Sequence, residues 1–253
     1  MTENTAVPAS GSIMVVGGGI SGLTAALEAA EVGYEVFLVE KNPYLGGRVA
    51  QLNQYFPKLC PPTCGLEINF RRIKDNPRIK VFTMSEVESV TGNAGNYTVS
   101  VKINPRYVNE NCTCCGACTE ACQTEIESQF DFGMRKIKGA YLPFEMAFPA
   151  RFVIDDAVKN NADDARRVKE ACIYDAVDFE LQAKSIDLQV GSIILAPGFT
   201  AFDPSGLDTF GYANLPDVVT ALEFERMLSA TGPYAGHLVR PSSMRGKKAT
   251  GRP

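Results

Sequence analysis

Residues 12–40 read SIMVVGGGISGLTAALEAAEVGYEVFLVE, and this stretch decides the fold. Residues 12–16 form a short apolar run closed by Gly17, residues 20–32 repeat apolar and Ala residues at helical spacing, and residues 35–40 (EVFLVE) form a second apolar run. Strand, tight turn, helix and strand make a βαβ unit, and the apolar second strand suits a parallel sheet covered on both faces. Within the turn, Gly17, Gly19 and Gly22 spell G-x-G-x-x-G. The first glycine permits the tight turn, the second lets a pyrophosphate approach the backbone, and the third lets helix and strand pack closely. The helix N-terminus then faces the phosphates. Glu40 closes the second strand, where it can accept ribose hydroxyl hydrogen bonds and repel a 2′-phosphate.

Downstream, Gly46-Gly47-Arg48 opens a predicted helix, residues 66–74 suggest another, and 79–83 a short strand. Residues 87–91 and 97–103 alternate around GNAGN (92–96), as two antiparallel strands should. From 105 to 176 cysteines, aromatics and prolines replace clean periodicity, which reads as an insertion. The sheet pattern resumes over 177–182, 185–190 and a buried strand at 192–196, with a helix predicted over 218–229. The expected fold class is therefore α/β: a Rossmann-like parallel sheet with an antiparallel meander and an inserted cysteine module. The divisions are 12–104 and 177–240 for the dinucleotide fold, 105–176 for the insertion, and 241–253 (PSSMRGKKATGRP) for a flexible tail or truncated end with nothing to build a core.

Composition narrows the class further. At 253 residues and 45% hydrophobic the chain can bury a good core, and a net charge of −4 gives no support to a nucleic-acid or anionic-membrane surface. No run approaches the roughly 18 apolar residues of a membrane span, so a membrane connection is expected only through a partner. The opening MTENTAVPASGS lacks the basic and apolar regions of an export signal, which makes the cytoplasm the expected compartment. There, eight cysteines read as ligands or redox groups rather than disulfides.

Cys112, Cys115, Cys118 and Cys122 are spaced C-x-x-C-x-x-C-x-x-x-C, the run by which bacterial ferredoxins hold [4Fe–4S] clusters; zinc sites pair two short knuckles across a longer gap. The fourth member of such a run ordinarily serves the other cluster of a two-cluster domain. Here the partner run is degraded to Cys172, in CIYDAV. In ferredoxin topology that cysteine completes the first cluster, so the expected ligands are Cys112, Cys115, Cys118 and Cys172, with Cys122 as the alternative fourth. Cys114 is expected to point away. Cys60 and Cys64, in KLCPPTCG, stay open between a redox dithiol, ligands of a second centre and plain buried thiols. The single histidine, His237, reads as a solvated side chain.

Gly46-Gly47-Arg48 resembles the second phosphate-contacting motif of two-dinucleotide-binding-domain flavoproteins. Residues 193–198 (IILAPG) resemble their returning strand, which usually ends Ala-Thr-Gly; Pro197 departs from that pattern and removes a backbone donor and a hydroxyl. That resemblance selects FAD, with Gly17, Gly19, Ile20, Ser21, Gly22, Glu40, Lys41, Gly47, Arg48, Ala196 and Gly198 as the candidate cofactor site. The glycine turn, the long stretch 40–72, the cysteine run and residues 140–155 (AYLPFEMAFPARFVID) together resemble the heterodisulfide reductase A-type family, closest to its branch in quinone-interacting membrane-bound oxidoreductases. The resemblance implies an oxidoreductase component with FAD and one [4Fe–4S] cluster. Its implied partners are adenylylsulfate reductase, a membrane haem subunit, and a second component with flavin and iron–sulfur centres, in a path from the quinone pool during sulfate respiration. Members of the family continue past the Arg-Pro-Ser segment, so a shortened flavin pocket and weak FAD retention are expected of this chain. The rival readings are a flavin subunit serving a thiol/disulfide reductase complex and a stand-alone flavin disulfide oxidoreductase using Cys60 and Cys64. The latter lacks a second G-x-G-x-x-G for a nicotinamide.

Overall fold

β-Branched and aliphatic runs build the central layer. β1 (Ser12–Val16), β2 (Glu35–Val39) and β3 (Ile79–Phe82) pair in parallel, and β11 (Ser192–Leu195) returns to the far side of β1, giving the order β11-β1-β2-β3. The computed structural model describes residues 10–212 and 214–244; the start of the opening segment and residues 245–253 of the expected tail lie outside them. Because side chains alternate across a strand, the sheet carries two apolar faces. Val15, Val36 and Leu38 pack under α1 (Ile20–Glu31) and α2 (Thr63–Asp75), against Leu23, Leu27, Leu66, Phe70 and Ile73. Met14, Phe37 and Val39 face the other way, against Val99, Val101 and Val190. Those three belong to a second sheet in which β5 (Asn96–Ile103) lies between β4 (Ser85–Asn93) and β10 (Lys184–Val190), all antiparallel. The expected meander is thus present, and it is what covers the second face of the parallel sheet.

β5 and β10 are neighbours in space but lie some 80 residues apart in sequence, and the residues between them form the insertion. It contains α3 (Ala117–Ala121), the strand pairs β6 (Glu125–Glu127) with β7 (Lys136–Lys138) and β8 (Ala140–Tyr141) with β9 (Val153–Ile154), then α4 (Asp156–Lys159) and α5 (Ala162–Glu170). Val108, Cys118, Ala140, Ile154, Val158, Val168 and Val177 give it an apolar core of its own. Phe130, Phe144 and Phe148 instead reach into the core beneath α1 and α2, where Tyr44 meets Phe130 and Phe144 edge-on and Phe148 stacks on Phe70. Buried Arg106 fastens the two parts. It donates to Pro43 O (2.6 Å) and Thr83 Oγ1 (2.8 Å) on one side and to Arg151 O (3.1 Å) on the other. Burial, aided by Arg151, lowers its pKa to about 10.

Four local expectations change. Residues 177–182 do not form a strand: Val177 makes a single bridge to Val108, and the backbone then turns, with the Asp178 N–H donating to Tyr107 O and the Asp178 carboxylate accepting from the Glu180 N–H. β11 is an edge strand rather than a buried one, so Ser192 and Leu195 are exposed. The helix expected to open at Gly46 is one 3₁₀ turn, Gly47–Gln51, because Gly46 and Gly47 both take positive φ (107° and 54°). The helix expected over 218–229, α6 (Ala221–Leu228), is shorter than expected because a capping box between Thr220 and Glu223 sets its start.

Candidate functional site

Gly17, Glu40 and Ala196 stand at the carboxyl ends of β1, β2 and β11, the edge of a parallel sheet where ligands bind. Backbone crowding makes two of the glycines obligatory. A Cβ on Gly17 (φ +109°) would lie 2.1 Å from Ala196 O, and one on Gly22 would lie 1.8 Å from Gly17 O. At Gly19 a Cβ would meet nothing within 4 Å, so this glycine faces open space, as close approach of a phosphate requires. No side chain caps α1 and no acid stands in its first turn, which leaves the amides after Gly19 available to an anion. Gly46 N donates to Gly18 O (2.8 Å), and a Cβ on Gly47 would approach Gly19 Cα to 3.0 Å, so the second glycine pair is stacked on the first turn.

Glu40 is buried and tied into the same turn. One carboxylate oxygen accepts from the Gly18 N–H (2.6 Å), the other from the Asn42 N–H (2.7 Å) and Nδ2 (2.8 Å). It therefore ties the glycine turn to the end of β2, with lone pairs left on its carboxylate oxygens. Arg48 reaches the segment beyond β11: its Nε donates to Phe199 O (3.1 Å) and its guanidinium lies 4.8 Å from the Phe199 ring centre. Ile20, Ser21 and Lys41 are exposed at the rim, and Gly198 (φ +72°) lets the chain turn away past Pro197. The cradle fits a dinucleotide: open space at the second glycine, uncapped amides and a buried acid at the end of β2 all face one edge.

The cysteines separate into three groups. Cys112, Cys115, Cys118 and Cys172 line one small cavity, with Val108, Phe152 and Val177 behind them. Gly116 (φ +86°) turns the chain between Cys115 and α3, and Ala176 N donates to Cys172 Sγ (3.3 Å), which orients that sulfur. Burial, with Cys112 adding to it, pushes the Cys118 thiol up to about 11, and a cation at the sulfur would favour its thiolate. Among the described residues no group of three or more His, Cys, Asp or Glu side chains is gathered as for a single metal ion. A cluster that gives each thiolate its own iron holds its ligands further apart than one ion does, and the thiol donor set fits that chemistry.

Cys122 and Cys114 lie outside this lining. Cys122 is buried with Sγ 3.5 Å from both Thr124 O and Asp164 Oδ2. Cys114 (φ +58°) interacts with Cys112 and is pushed up to about 11, by burial first and by Cys112 next. Cys60 is half-buried and pairs backbone with Tyr55, whereas Cys64 is exposed in the first turn of α2; all eight thiols are free.

Sequence reasoning missed Asp164, whose signal was an acid two residues into a helix that follows an Asn cap. Burial alone would raise its carboxyl, yet hydrogen bonds from Thr124 and the Gln123 N–H and the pairing with Arg167 outweigh it and hold the group well below the usual carboxylate range. A depressed native pKa adds stability above the unfolded value near 3.9 and loses it as pH falls through the native one. Asp164→Asn is accordingly expected to cost on the order of 2 kcal/mol at neutral pH, with the difference shrinking below about pH 4; urea titrations at both pH values measure it. A difference unchanged by acid would refute the sign.

A glycine turn stacked on a second glycine pair, with an acid buried at the end of β2, defines a dinucleotide-binding protein, and residues 15–82 match the NAD(P)-binding Rossmann-like domain family. Over 247 residues, 97% of its length, the chain is 40% identical to the second A-type iron-sulfur subunit of CoB–CoM heterodisulfide reductase from Methanopyrus kandleri, covering 37% of that protein. It is 39% identical over 91% of its length to the A-type iron-sulfur subunit of CoB–CoM heterodisulfide reductase from Methanocaldococcus jannaschii, covering 35% of it. The chain is thus a homologue of the A-type subunit of heterodisulfide reductase, and it spans a little over a third of the length of these relatives. Among solved structures, L-proline dehydrogenase from P. horikoshii aligns with 76% of this chain and 42% of its own at a TM-score of 0.33 and 15% identity. Among the described residues no helix is long and apolar enough to cross a membrane.

Proposed function

We propose that the chain is the FAD- and [4Fe–4S]-bearing electron-transfer part of a multi-subunit oxidoreductase of the heterodisulfide reductase type. The observation that carries this reading is the meeting of Cys112, Cys115, Cys118 and Cys172 at one cavity inside an insertion bolted to a dinucleotide fold. The flavin would exchange paired for single electrons and the cluster would carry the single ones. The chain's own residues have definite tasks in this. Gly17, Gly19 and Gly22 open the turn, the α1 amides take the pyrophosphate, and Glu40 takes the ribose while fixing Gly18. Arg48 and Gly47 close the same edge from the second motif. The insertion, 105–176, serves as the cluster module, and buried Phe152 and Val108 form the apolar inner wall behind the sulfurs.

Material purified without oxygen and reconstituted with iron, sulfide and FAD is expected to hold iron and acid-labile sulfide in equal amounts together with flavin, and to bleach on chemical reduction. Colourless protein free of labile sulfide would end the proposal. A narrower destination, from a quinone pool to adenylylsulfate reductase, rests on the sequence resemblance. It requires co-purification with a haem-bearing membrane protein, and co-purification with heterodisulfide-cleaving subunits instead would exclude it.

A further inference from the structure

Burying a guanidinium is costly unless an anion accompanies it. Arg226 follows that rule through its pair with Asp131. Arg106 does not. It is 7% exposed, and its acceptors are all neutral: Pro43 O, Thr83 Oγ1 and Arg151 O. Among the described residues no carboxylate forms an ion pair with it. Although burial lowers its pKa to about 10, it stays a cation at neutral pH. Its neighbours place it beside the thiol cavity. Arg106 stands two residues before Val108 and donates to the residue just before Phe152, and Val108 and Phe152 line the cavity with Cys112, Cys115, Cys118 and Cys172. The Ile154 N–H donates to Arg106 O (3.2 Å), which holds the two wall segments side by side. The groups whose charge reaches the guanidinium are Arg151, which opposes it, then Tyr141, Cys112 and Cys114. Arg151 has Glu110 (3.7 Å) at the surface to answer its own charge. The phenol and the two thiols carry no charge until a proton leaves, and iron binding makes a thiolate of its ligand.

We propose that Arg106 is the buried counter-ion of the loaded thiol site, a tuning residue whose charge favours the reduced cluster and so raises its reduction potential. The inference rests on the cluster reading above and deepens it by assigning a residue that touches no iron. An iron–sulfur core held by thiolates is a net anion that becomes more negative on reduction, and charge near it shifts its potential. A cation shielded from water and salt acts on that anion far more strongly than a surface one does. The cost of burying Arg106 without a carboxylate is then offset when the site fills. The same side chain holds Pro43 O and Thr83 Oγ1 of the dinucleotide fold, so filling the site also strengthens the junction between the two parts.

The test is a potentiometric titration of the full, reconstituted chain, followed by electron paramagnetic resonance. Dithionite gives one electron to the oxidised cluster, and no bond at Arg106 is made or broken. Arg106→Gln removes the charge and should lower the potential by about 59 mV, a tenfold change in the one-electron equilibrium. Thr83→Asp keeps Arg106 and its fastening but sets a carboxylate where a hydroxyl now accepts from Nη2, so it should shift the potential in the same direction. Thr83→Val loosens the same contact with the charge left bare, and should titrate with the wild type. Iron and labile sulfide are measured on each variant, and the two that cancel the charge are expected to hold less than Thr83→Val. A wild-type chain without a cluster defeats the proposed function itself. A loaded chain whose Arg106→Gln and Thr83→Asp variants titrate with the wild type overturns the counter-ion alone. A shift or a cluster loss in Thr83→Val as large as theirs overturns it too, because Arg106 would then act only by fastening the two parts. Should Arg106→Gln fail to fold, Thr83→Asp decides by itself, since it gives the buried cation an ion pair instead of removing it.

Discussion

Cys172→Ser is expected to remove most of the bound iron and labile sulfide, whereas Cys122→Ser leaves both close to the wild-type amount. The two cysteines compete for the fourth ligand position by sequence spacing, and their surroundings differ in kind. Cys172 lines the cavity beside Cys112, Cys115 and Cys118, and a backbone amide already points at its sulfur. Such an amide stabilises a thiolate and would support a sulfur bound to iron. Cys122 sits 3.5 Å from a carboxylate that its hydrogen bonds keep ionised. Burial and then the Asp164 charge raise its pKa, partly opposed by nearby backbone hydrogen bonds, so it stays a thiol that donates to Asp164 and Thr124. Serine can make the same donations, which is why that replacement should be quiet. Iron and sulfide analysis with electron paramagnetic resonance of the reduced variants decides the matter, and the reverse pattern would place Cys122 at the cluster.

Much of this was legible from residues 12–40, because glycine positions and apolar periodicity are local signals. β1, α1 and β2 appear where the pattern puts them, and the crowding at Gly17 and Gly22 gives the physical reason those positions cannot carry a side chain. The expected antiparallel strands appear too, with a turn tighter than predicted: Asn93 pairs with Asn96. What stayed hidden depends on contacts distant in sequence. Residues 177–182 have strand composition, but Tyr107 O and the Asp178 side chain take the amides that a ladder would need. The exposure of Leu195 follows from β11 lying at a sheet edge, which no local pattern reports. Arg106 and Arg226 give no local signal in the sequence, yet each is buried and fastens segments far apart in the chain. For the cysteines, the run and its ferredoxin topology already favoured Cys172 over Cys122, whereas the contact of Cys122 with Asp164 joins residues distant in sequence and left no local signal.

Arg226 is the basis of the second large effect. Only 1% of it is exposed, and its Nε donates to the fully buried Asp131 at 2.6 Å, across the gap between α6 and the insertion. Its other nitrogens donate to Ser229 Oγ, Thr231 Oγ1 and Thr231 O, and its guanidinium lies 4.7 Å from the Phe130 ring centre. Asp131→Ala leaves this cation buried among neutral acceptors, a change that costs roughly 3–5 kcal/mol. The reverse replacement should be milder, because Asp131 keeps Ser128 Oγ and Arg135 as partners when Arg226 becomes methionine. Removing both charges with leucine and methionine should be milder still, since no buried ion is then left without its counter-ion and the partly exposed Arg135 can turn to water. The consequence extends to the dinucleotide edge. α6 also carries Glu225, which accepts from the Asn53 and Gln54 N–H groups just beyond the Gly47–Gln51 turn, and Gln51 Nε2 donates to Phe130 O. Loosening α6 should therefore weaken FAD retention together with stability in Asp131→Ala. Urea denaturation and flavin retention on the three variants test this ordering, and a double variant as unstable as Asp131→Ala would show that packing, not the stranded charge, sets the cost.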